Sequence, residues 1–403
     1  MSKWKKLSAA VALALCAGGV QAQISGGVVK IGVLNDMSSL YADIGGPGSV
    51  AAAKMAVEDF LKSSKSGLKV EVVFADHQNK PDVGSQIARQ WYDVDGVDAI
   101  FDVPNSGVAL AINQITKDKG KAFINTGAAS SDLTGKACSP NTVHWLYDTW
   151  MLAHGTGGAM VKTGGDTWFF LTADYAFGHA LERDTAEVVK ANGGKVLGAV
   201  RHPLNTQDFS SFLLQAQSSK AKVIGLANAG GDTVNSIKQA SEFGITKGGQ
   251  QLAGLLVFLT DVHGLGLEKA QGLVLTETFY WDMNDGTRAW AKRFAPLNKG
   301  QYPSMDHAGV YAAVLHYLKA VASAKTDDGT KVIAEMKRLP TDDPLFGKGR
   351  VRQDGRKIHP AYLFEVKKPS ESKYAYDYYK LRATIPAEQA FRPEKEGGCD
   401  LVK

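Results

Sequence analysis

VVKIGVLNDMSSLYADIGGPGSVAAAKMAVEDFL, residues 28–61, contains a strand pattern followed by a helix pattern. Val28–Leu34 is an apolar run with almost no charge, which is typical of a buried parallel strand. From Gly45 to Leu61 apolar residues recur at helical spacing, as at Ala53, Ala56 and Phe60. The stretch therefore predicts one strand–helix unit of an α/β fold.

The same alternation continues in two series. In the first, we expect strands at 70–75, 99–103 and 122–125 and helices at 82–93 and 106–117. In the second, we expect strands at 167–172, 196–200, 223–227 and 273–276 and helices at 178–191, 208–218 and 232–243, with a further apolar run at 252–258. Strands that alternate with helices form parallel sheets covered on both faces. The predicted fold class is α/β, with two doubly wound parallel-sheet lobes.

The rest of the chain adds helices and then a different pattern. We expect helices near 287–298, 306–324 and 331–337, and an antiparallel addition at 349–352, 361–366 and 374–381. The chain has 403 residues, more than a single core usually serves, so more than one domain is expected. The net charge is +5, and it falls to +2 without the first 22 residues, so we expect no nucleic-acid partner.

The N-terminus has the features of a secretory signal. A basic start with Lys3, Lys5 and Lys6 precedes an apolar run that ends near Ala22. We predict cleavage after Ala22, a signal peptide at 1–22 and a periplasmic location. Cys138 and Cys399 then remain, and an oxidising compartment favours a disulfide between them, although two free thiols stay possible.

Motifs for catalysis and metal binding are not found in the sequence. It contains no phosphate-binding loop ending in Gly-Lys-Ser/Thr, no Gly-x-Ser-x-Gly turn and no His-Glu-x-x-His pair, and its nine histidines are scattered. We therefore expect no enzyme, no catalytic residue, no cofactor and no metal. A pair of acids that meet only in space is not excluded.

The predicted strand ends carry small and hydroxyl-bearing residues. Asn105-Ser106 and Thr126-Gly-Ala-Ala-Ser130 follow two neighbouring strands of the first series. Ligands of open α/β sheets bind at the carboxyl ends of strands. Free backbone N–H groups at helix starts suit an anion such as a carboxylate. Helix capping alone is the competing interpretation.

Several segments, in this order and spacing, resemble a known family. They are Tyr41-Ala-Asp-Ile-Gly, Ala122-Phe-Ile-Asn-Thr-Gly-Ala-Ala-Ser-Ser-Asp-Leu, Asp174-Tyr-Ala-Phe-Gly, Asp208-Phe-Ser-Ser and Lys238-Gln-Ala-Ser-Glu-Phe-Gly. The chain resembles the periplasmic solute-binding proteins of ABC importers, in the branch that binds leucine, isoleucine and valine, from Val29 to about Ala383. The resemblance implies two α/β lobes joined by three crossing segments, a solute held in the cleft, and a membrane permease of an ABC importer as partner.

The resemblance also suggests boundaries. We place the first lobe at 23–147 and 277–345, the second at 148–276 and 346–390, and a C-terminal tail at 391–403. We expect a monomer that binds a small-molecule carboxylate.

In this family a hydroxyl after the third strand and the loop after the fourth strand bind the solute carboxylate. Ser106 and Ala128-Ala129-Ser130 fall on those positions. The second lobe departs from the pattern, because 254–258 contains no acid to pair with an ammonium group, and Ala229 stands where amino-acid binders have an aromatic. The resemblance thus implies a carboxylate without an α-amino group. Asp174, Asp261 or Asp306 could supply the charge instead, so an amino acid remains an alternative.

Aromatic residues are frequent among the candidates and favour an aromatic or hydrophobic carboxylate, of benzoate or cinnamate type. Core packing is the competing role for each of them. Other functions left open are an amino-acid or amide binder, a sensory receptor and an exported enzyme. The predicted ligand-binding residues are Tyr41, Asn105, Ser106, Ala128, Ala129, Ser130, Tyr147, Trp150, Tyr175, Phe177, Ala229, Trp281 and Asp306.

Overall fold

The computed structural model describes residues 24–402. The predicted signal peptide lies outside the described residues. Over the described range, no helix combines the length and the apolar character that a membrane crossing requires.

The first lobe is built on a parallel sheet of five strands in the order β2-β1-β3-β4-β5. Its first strand is buried along nearly its whole length, as its apolar sequence predicts. The elements of this series are β1 (Val29–Asn35), α1 (Gly46–Ser63), β2 (Val70–Asp76), α2 (Pro81–Asp93), β3 (Ala99–Asp102), α3 (Ser106–Lys119), β4 (Ala122–Asn125) and β5 (Thr142–His144).

The second lobe has a parallel sheet of four strands in the order β7-β6-β8-β9. Its elements are α4 (Thr149–Leu152), a π turn (Ala153–Gly157), α5 (Gly158–Lys162), β6 (Thr167–Ala173), α6 (Ala176–Ala191), β7 (Lys195–His202), α7 (Ser210–Ser218), β8 (Val223–Ala227), α8 (Gly231–Glu242), β9 (Gln251–Gly254), α9 (Leu259–Leu265), α10 (Leu267–Ala270) and β10 (Val274–Glu277). The two doubly wound lobes confirm the predicted fold class.

The remaining elements complete both lobes. They are α11 (Asp285–Phe294), α12 (Met305–Ala324), α13 (Gly329–Arg338), β11 (Thr341–Asp343), β12 (Gly347–Val351), β13 (Lys357–Ile358), β14 (Ala361–Val366), β15 (Tyr379–Ile385) and α14 (Ala387–Ala390). Helix α12 is buried along most of its length and packs against α1 of the first lobe. Strands β14 and β15 form an antiparallel sheet with β10.

The turn between β12 and β13 contacts the end of β5. His144 N donates to Gly355 O at 2.9 Å, and Arg356 Nη1 donates to Asp148 Oδ2 at 3.2 Å. The buried Arg356 guanidinium needs that carboxylate, since an unpaired buried charge is costly. The lobe boundaries, with 346–390 in the second lobe, stay a prediction.

The last antiparallel strand also begins later than predicted. The sequence pattern suggested a strand over 374–381, whereas β15 begins at Tyr379. Tyr376 has φ 61°, a left-handed conformation, and Lys373 N donates to the Asp377 carboxylate at 2.9 Å. These residues form a turn. The aromatic pattern that suggested a strand indicates buried side chains and does not show that the backbone is extended.

A disulfide connects the C-terminal tail to the first lobe. Cys138 and Cys399 are bonded, with their Cα atoms 5.6 Å apart and a separation of 261 positions in the chain. Near it, Arg392 Nη2 donates to Ser131 O at 2.9 Å. The predicted pairing is therefore present in the structure, and the tail lies beside the loop that follows β4.

We expect Cys399→Ser to lower the free energy of unfolding by about 2–4 kcal/mol, because the disulfide closes a long loop of the unfolded chain. Urea unfolding with and without a reductant measures this. The reductant should destabilise the wild type and leave Cys399→Ser unchanged. Equal stability of the two oxidised proteins would contradict the prediction.

Candidate functional site

The carboxyl ends of strands from both lobes surround a small cavity. Loops after β1, β3, β4 and β5 supply one side, and loops after β6, β8 and β9 supply the other. The lining residues are Tyr41, Ile44, Pro104, Gly127, Ala129, Tyr147, Tyr175, Phe177, Ala229, Leu256 and Phe258. This is the position at which open α/β sheets bind ligands.

The loop after β1 is fixed by a buried carboxylate. Asp36 accepts hydrogen bonds from Tyr41 N at 2.8 Å, Ser39 N at 2.9 Å and Asn79 Nδ2 at 2.6 Å. Burial opposes ionisation, but these donors together hold the pKa of Asp36 below its ordinary value. The loop is therefore held by charge-assisted bonds that place Tyr41 in the cavity wall.

The two lobes touch at the mouth of the cavity. The hydroxyl oxygens of Tyr41 and Tyr175 are 2.6 Å apart, and Gly231 N donates to Leu40 O at 3.3 Å. Burial raises the pKa of both tyrosines, so each hydroxyl keeps its proton and one donates to the other. The structure thus shows the lobes closed against each other.

Unused hydrogen-bond donors lie after β3 and β4 of the first lobe, next in the chain to residues that line the cavity. Ser130 N donates to Ser106 Oγ at 3.2 Å, and both serines are buried. Among residues 24–402, neither hydroxyl hydrogen has an acceptor, and the backbone N–H of Ala129 donates to nothing. Ser106 is also the first residue of α3, whose N-terminus favours an anion.

Aromatic rings form much of the remaining wall. The rings of Tyr147 and Phe258 meet edge to face with centroids 5.6 Å apart, and those of Tyr175 and Phe177 are 5.9 Å apart. Tyr147 Oη donates to Gly127 O at 2.6 Å, so its hydroxyl hydrogen is already used within the protein. The wall is suited to a flat or apolar group.

No formally charged side chain is among the eleven described residues that line the cavity. Asp261 follows the lining residue Phe258 by three positions, and its carboxylate accepts from Phe258 N at 2.9 Å and borders an outer groove with Ile44. Burial raises the pKa of Asp261 to about 7, against the hydrogen bond from Phe258. The cavity itself offers no carboxylate to an ammonium group.

The structure brings most of the predicted site residues together. Six line the cavity: Tyr41, Ala129, Tyr147, Tyr175, Phe177 and Ala229. Four more lie in the same two loops: Asn105, Ser106, Ala128 and Ser130. Asn105 is the N-cap of α3 and accepts from Gly107 N and Val108 N, while Ala128 is bonded to Asn125.

Three predicted residues lie elsewhere. Trp150 stacks on His154 with ring centroids 3.5 Å apart, outside the cavity. Trp281 packs against Tyr302 and donates to Tyr376 O at 3.0 Å, so its indole N–H is already satisfied in the core. Asp306 is fully buried behind the cavity wall and does not line it. These predictions relied on residue type, which does not give side-chain direction.

Five lining residues were not predicted: Ile44, Pro104, Gly127, Leu256 and Phe258. The last two follow β9, which ends at Gly254, so the apolar run at 252–258 continues past the strand into the cavity. This continuation could have indicated that Leu256 and Phe258 line a site, because a loop at the end of a strand is normally polar. The others are small or aliphatic residues without a distinguishing pattern.

Comparison with known proteins gives a consistent result. A family model described as "Periplasmic binding protein" matches residues 28–373. The crystal structure of a periplasmic binding protein from Burkholderia mallei is similar at 56% identity, covering 94% of this chain and 100% of that chain, with a TM-score of 0.91.

Two further solved structures are informative. A branched chain amino acid ABC transporter periplasmic ligand-binding protein from Burkholderia xenovorans LB400 is 43% identical, covering 93% of this chain and 100% of that one, with a TM-score of 0.81. A solute binding protein of an ABC transporter from R. palustris, in complex with benzoate, is 20% identical, with coverage of 93% and 100% and a TM-score of 0.79. The latter likeness shows the fold alone.

Gly230 limits how closely the lobes approach. It has φ 57°, and a Cβ atom there would lie 2.6 Å from Leu40 O of the other lobe. We expect Gly230→Ala to hold the lobes apart and to increase the radius of gyration measured by small-angle X-ray scattering. Gly244→Ala is the matched control, because Gly244 has φ 66° and nothing within 4 Å of its Cβ position. An equal radius in both variants would contradict this role.

Proposed function

Since the chain belongs to the periplasmic binding protein family, we propose that it is the periplasmic solute-binding component of an ABC importer. Its solute is a small carboxylate with an aromatic or hydrophobic body, of benzoate or cinnamate type. The observation that carries this is a ring-lined cavity without charged side chains, beside unused hydrogen-bond donors.

The carboxylate end of the solute is held by the first lobe. The hydroxyls of Ser106 and Ser130 and the N–H of Ala129 supply three donors, and α3 directs its N-terminus to the same place. Hydrogen bonds to a charged group are stronger than those between neutral groups. A neutral amide in the same position would gain less from these donors.

The apolar end is held between the lobes. Phe258 and Leu256 of the second lobe face Tyr147 and Ile44 of the first. Closing the lobes around a ring removes apolar surface from water, which is favourable at about 25 cal/mol per Å². The hinge motion therefore supplies affinity for the body of the solute, while the first lobe determines the charge it must carry.

An α-amino acid is disfavoured by the same wall. Leu256 and Phe258 occupy the stretch where amino-acid binders carry an acid, and a buried ammonium group without a carboxylate is costly. Amino acids are the second candidate, because the similar B. xenovorans protein is a branched chain amino acid ABC transporter periplasmic ligand-binding protein. Asp261 would pair with the ammonium group of an amino acid if its carboxylate turned from Phe258 N toward the cavity.

Transport requires no covalent step from this chain. Family members are solute-binding proteins of transporters. In the proposed cycle the solute binds to the open first lobe, the second lobe closes, and the closed form is presented to the membrane permease as a monomer. Release follows when the lobes separate.

We expect benzoate to raise the melting temperature and benzamide and leucine to leave it unchanged. Benzamide keeps the ring and removes the charge, whereas leucine keeps a carboxylate and adds the ammonium group, so the pair separates the two requirements. Differential scanning fluorimetry measures this shift. A shift with leucine alone would favour the amino-acid function.

We expect Ser130→Ala to weaken benzoate binding by about 1–3 kcal/mol, the range for a hydrogen bond to a charged group. Isothermal titration calorimetry gives the affinity. Ser211→Ala is the matched control, since Ser211 is exposed on α7, away from the cavity. If both variants bind as the wild type does, Ser130 does not contact the solute.

A further inference from the structure

Two carboxyl groups are buried directly behind the cavity wall. Asp102, at the end of β3, and Asp306, in the first turn of α12, are both fully buried. The Cβ position of Gly45 shows that one oxygen atom of each carboxyl group lies near the same point. A Cβ atom on Gly45 would lie 3.0 Å from Asp306 Oδ2, 3.1 Å from Asp102 Oδ2 and 3.1 Å from Ser49 Oγ. Three oxygen atoms thus converge on one point.

The two carboxyls have unequal hydrogen-bond partners. Asp102 accepts from Asn35 Nδ2 at 2.7 Å and from Thr126 Oγ1 at 3.4 Å. Asp306 has no donor for either oxygen among residues 24–402, and Ser49 Oγ is likewise unpaired there. A buried carboxylate without donors is costly. The arrangement therefore fits an ionised Asp102 beside a protonated Asp306.

The lysines of α1 and α12, the two helices nearest the pair, are Lys54, Lys62 and Lys319, and all three are exposed. The buried titratable groups nearby include Asp36 after β1, Tyr147 after β5 and His307 on α12. Asp36 is engaged with Ser39 and Tyr41. Burial lowers the pKa of His307 to about 4, so this ring is neutral, and its Nε2 donates to Gly45 O. Only a proton remains to offset the second charge.

We propose, building on the carboxylate-binding function above, that Asp102 and Asp306 share one proton and act as positioning residues for the loops that bind the solute. Burial and the neighbouring carboxyl raise the pKa of Asp306 well above its ordinary value, and burial also raises the pKa of Asp102. These directions agree with the assignment from hydrogen-bond donors.

Asp102 is connected to the solute-binding loops through its backbone. Its carbonyl accepts from Thr126 N and Gly127 N, both at 3.4 Å, and Gly127 and Pro104 line the cavity. Asp102 and Val103 have φ 79° and 63°, a left-handed conformation that is unfavourable for residues other than glycine. Such a conformation persists only when its surroundings hold it, and the carboxyl pair is one of the groups that do so.

The shared proton links solute binding to pH. An anionic solute in the cavity would be repelled by a second negative charge behind Gly127, so the wild type should lose affinity as the pair loses its proton. The folded state also holds a proton that the unfolded chain releases above the ordinary pKa of an aspartate. The free energy of unfolding should therefore fall as pH rises from the ordinary pKa of an aspartate to the raised pKa of the pair in the folded state.

Asp306→Asn and Asp102→Asn test the assignment. An amide at 306 can donate to Asp102 permanently, so this variant should melt within about 3 °C of the wild type at pH 5. In Asp102→Asn the amide has a single oxygen for the two donors and faces Asp306. This variant should therefore melt at least ~5 °C below the wild type. The reverse order would overturn the proposal.

The pH dependence separates this inference from the proposed function. Without any ligand, the wild type should lose on the order of 3 °C relative to Asp306→Asn between pH 5 and pH 8. Asp118→Asn, a matched change on the exposed face of α3, should follow the wild type. Parallel pH profiles of wild type and Asp306→Asn would overturn the shared proton, whatever the ligand.

Benzoate provides the second readout. Its affinity for the wild type should fall about tenfold between pH 6 and pH 9, and Asp306→Asn should bind equally well at both. If the stability profiles differ as expected but no carboxylate binds at any pH, the proposed function fails and the proton-sharing pair stands. If Asp306→Asn does not fold while Asp102→Asn does, the pair is assigned wrongly. If neither folds, carboxyl ¹³C NMR of the wild type decides whether one aspartate stays protonated at pH 7.

Discussion

The carboxyl ends of the parallel strands in the two lobes face each other, and the rest of the molecule depends on that arrangement. Loops that follow strands in both sheets then meet in a single cleft, although they are far apart in sequence. The backbone N–H of Ala129 and the hydroxyl hydrogens of Ser106 and Ser130 are left there without acceptors among the described residues. Under the proposed function, these donors bind an anion without requiring a basic side chain.

The alternation of strands and helices was sufficient to predict both lobes. Strands that are buried on both faces of a sheet have continuous apolar runs, which can be recognised in one sequence. The first-lobe site loops were also predictable, since their position after β3 and β4 follows from topology. Trp150 and Trp281 were not, because the same residue type serves the core and the ligand site. The ion pair between Arg356 and Asp148 was not predictable either, because the two residues are about 200 positions apart in the chain.

The distribution of charge around the cleft has a consistent physical logic. The wall is neutral, and the nearest acids are either engaged by donors, as Asp36 is, or protonated in part, as we propose for Asp102 and Asp306. A cleft bordered by several ionised acids would repel an anionic solute. Keeping these groups neutral or saturated allows acidic residues to organise the loops without opposing the ligand.

Selectivity then follows from two separate requirements. Under the proposed function, a negatively charged group binds the first lobe most strongly, because the donors there gain most from an ionised acceptor. An apolar group binds favourably to the second lobe and an ammonium group does not, since Leu256 and Phe258 offer no compensating carboxylate. In the proposed cycle, a solute that meets both conditions stabilises the closed form, in which the Tyr41 and Tyr175 hydroxyl oxygens are 2.6 Å apart.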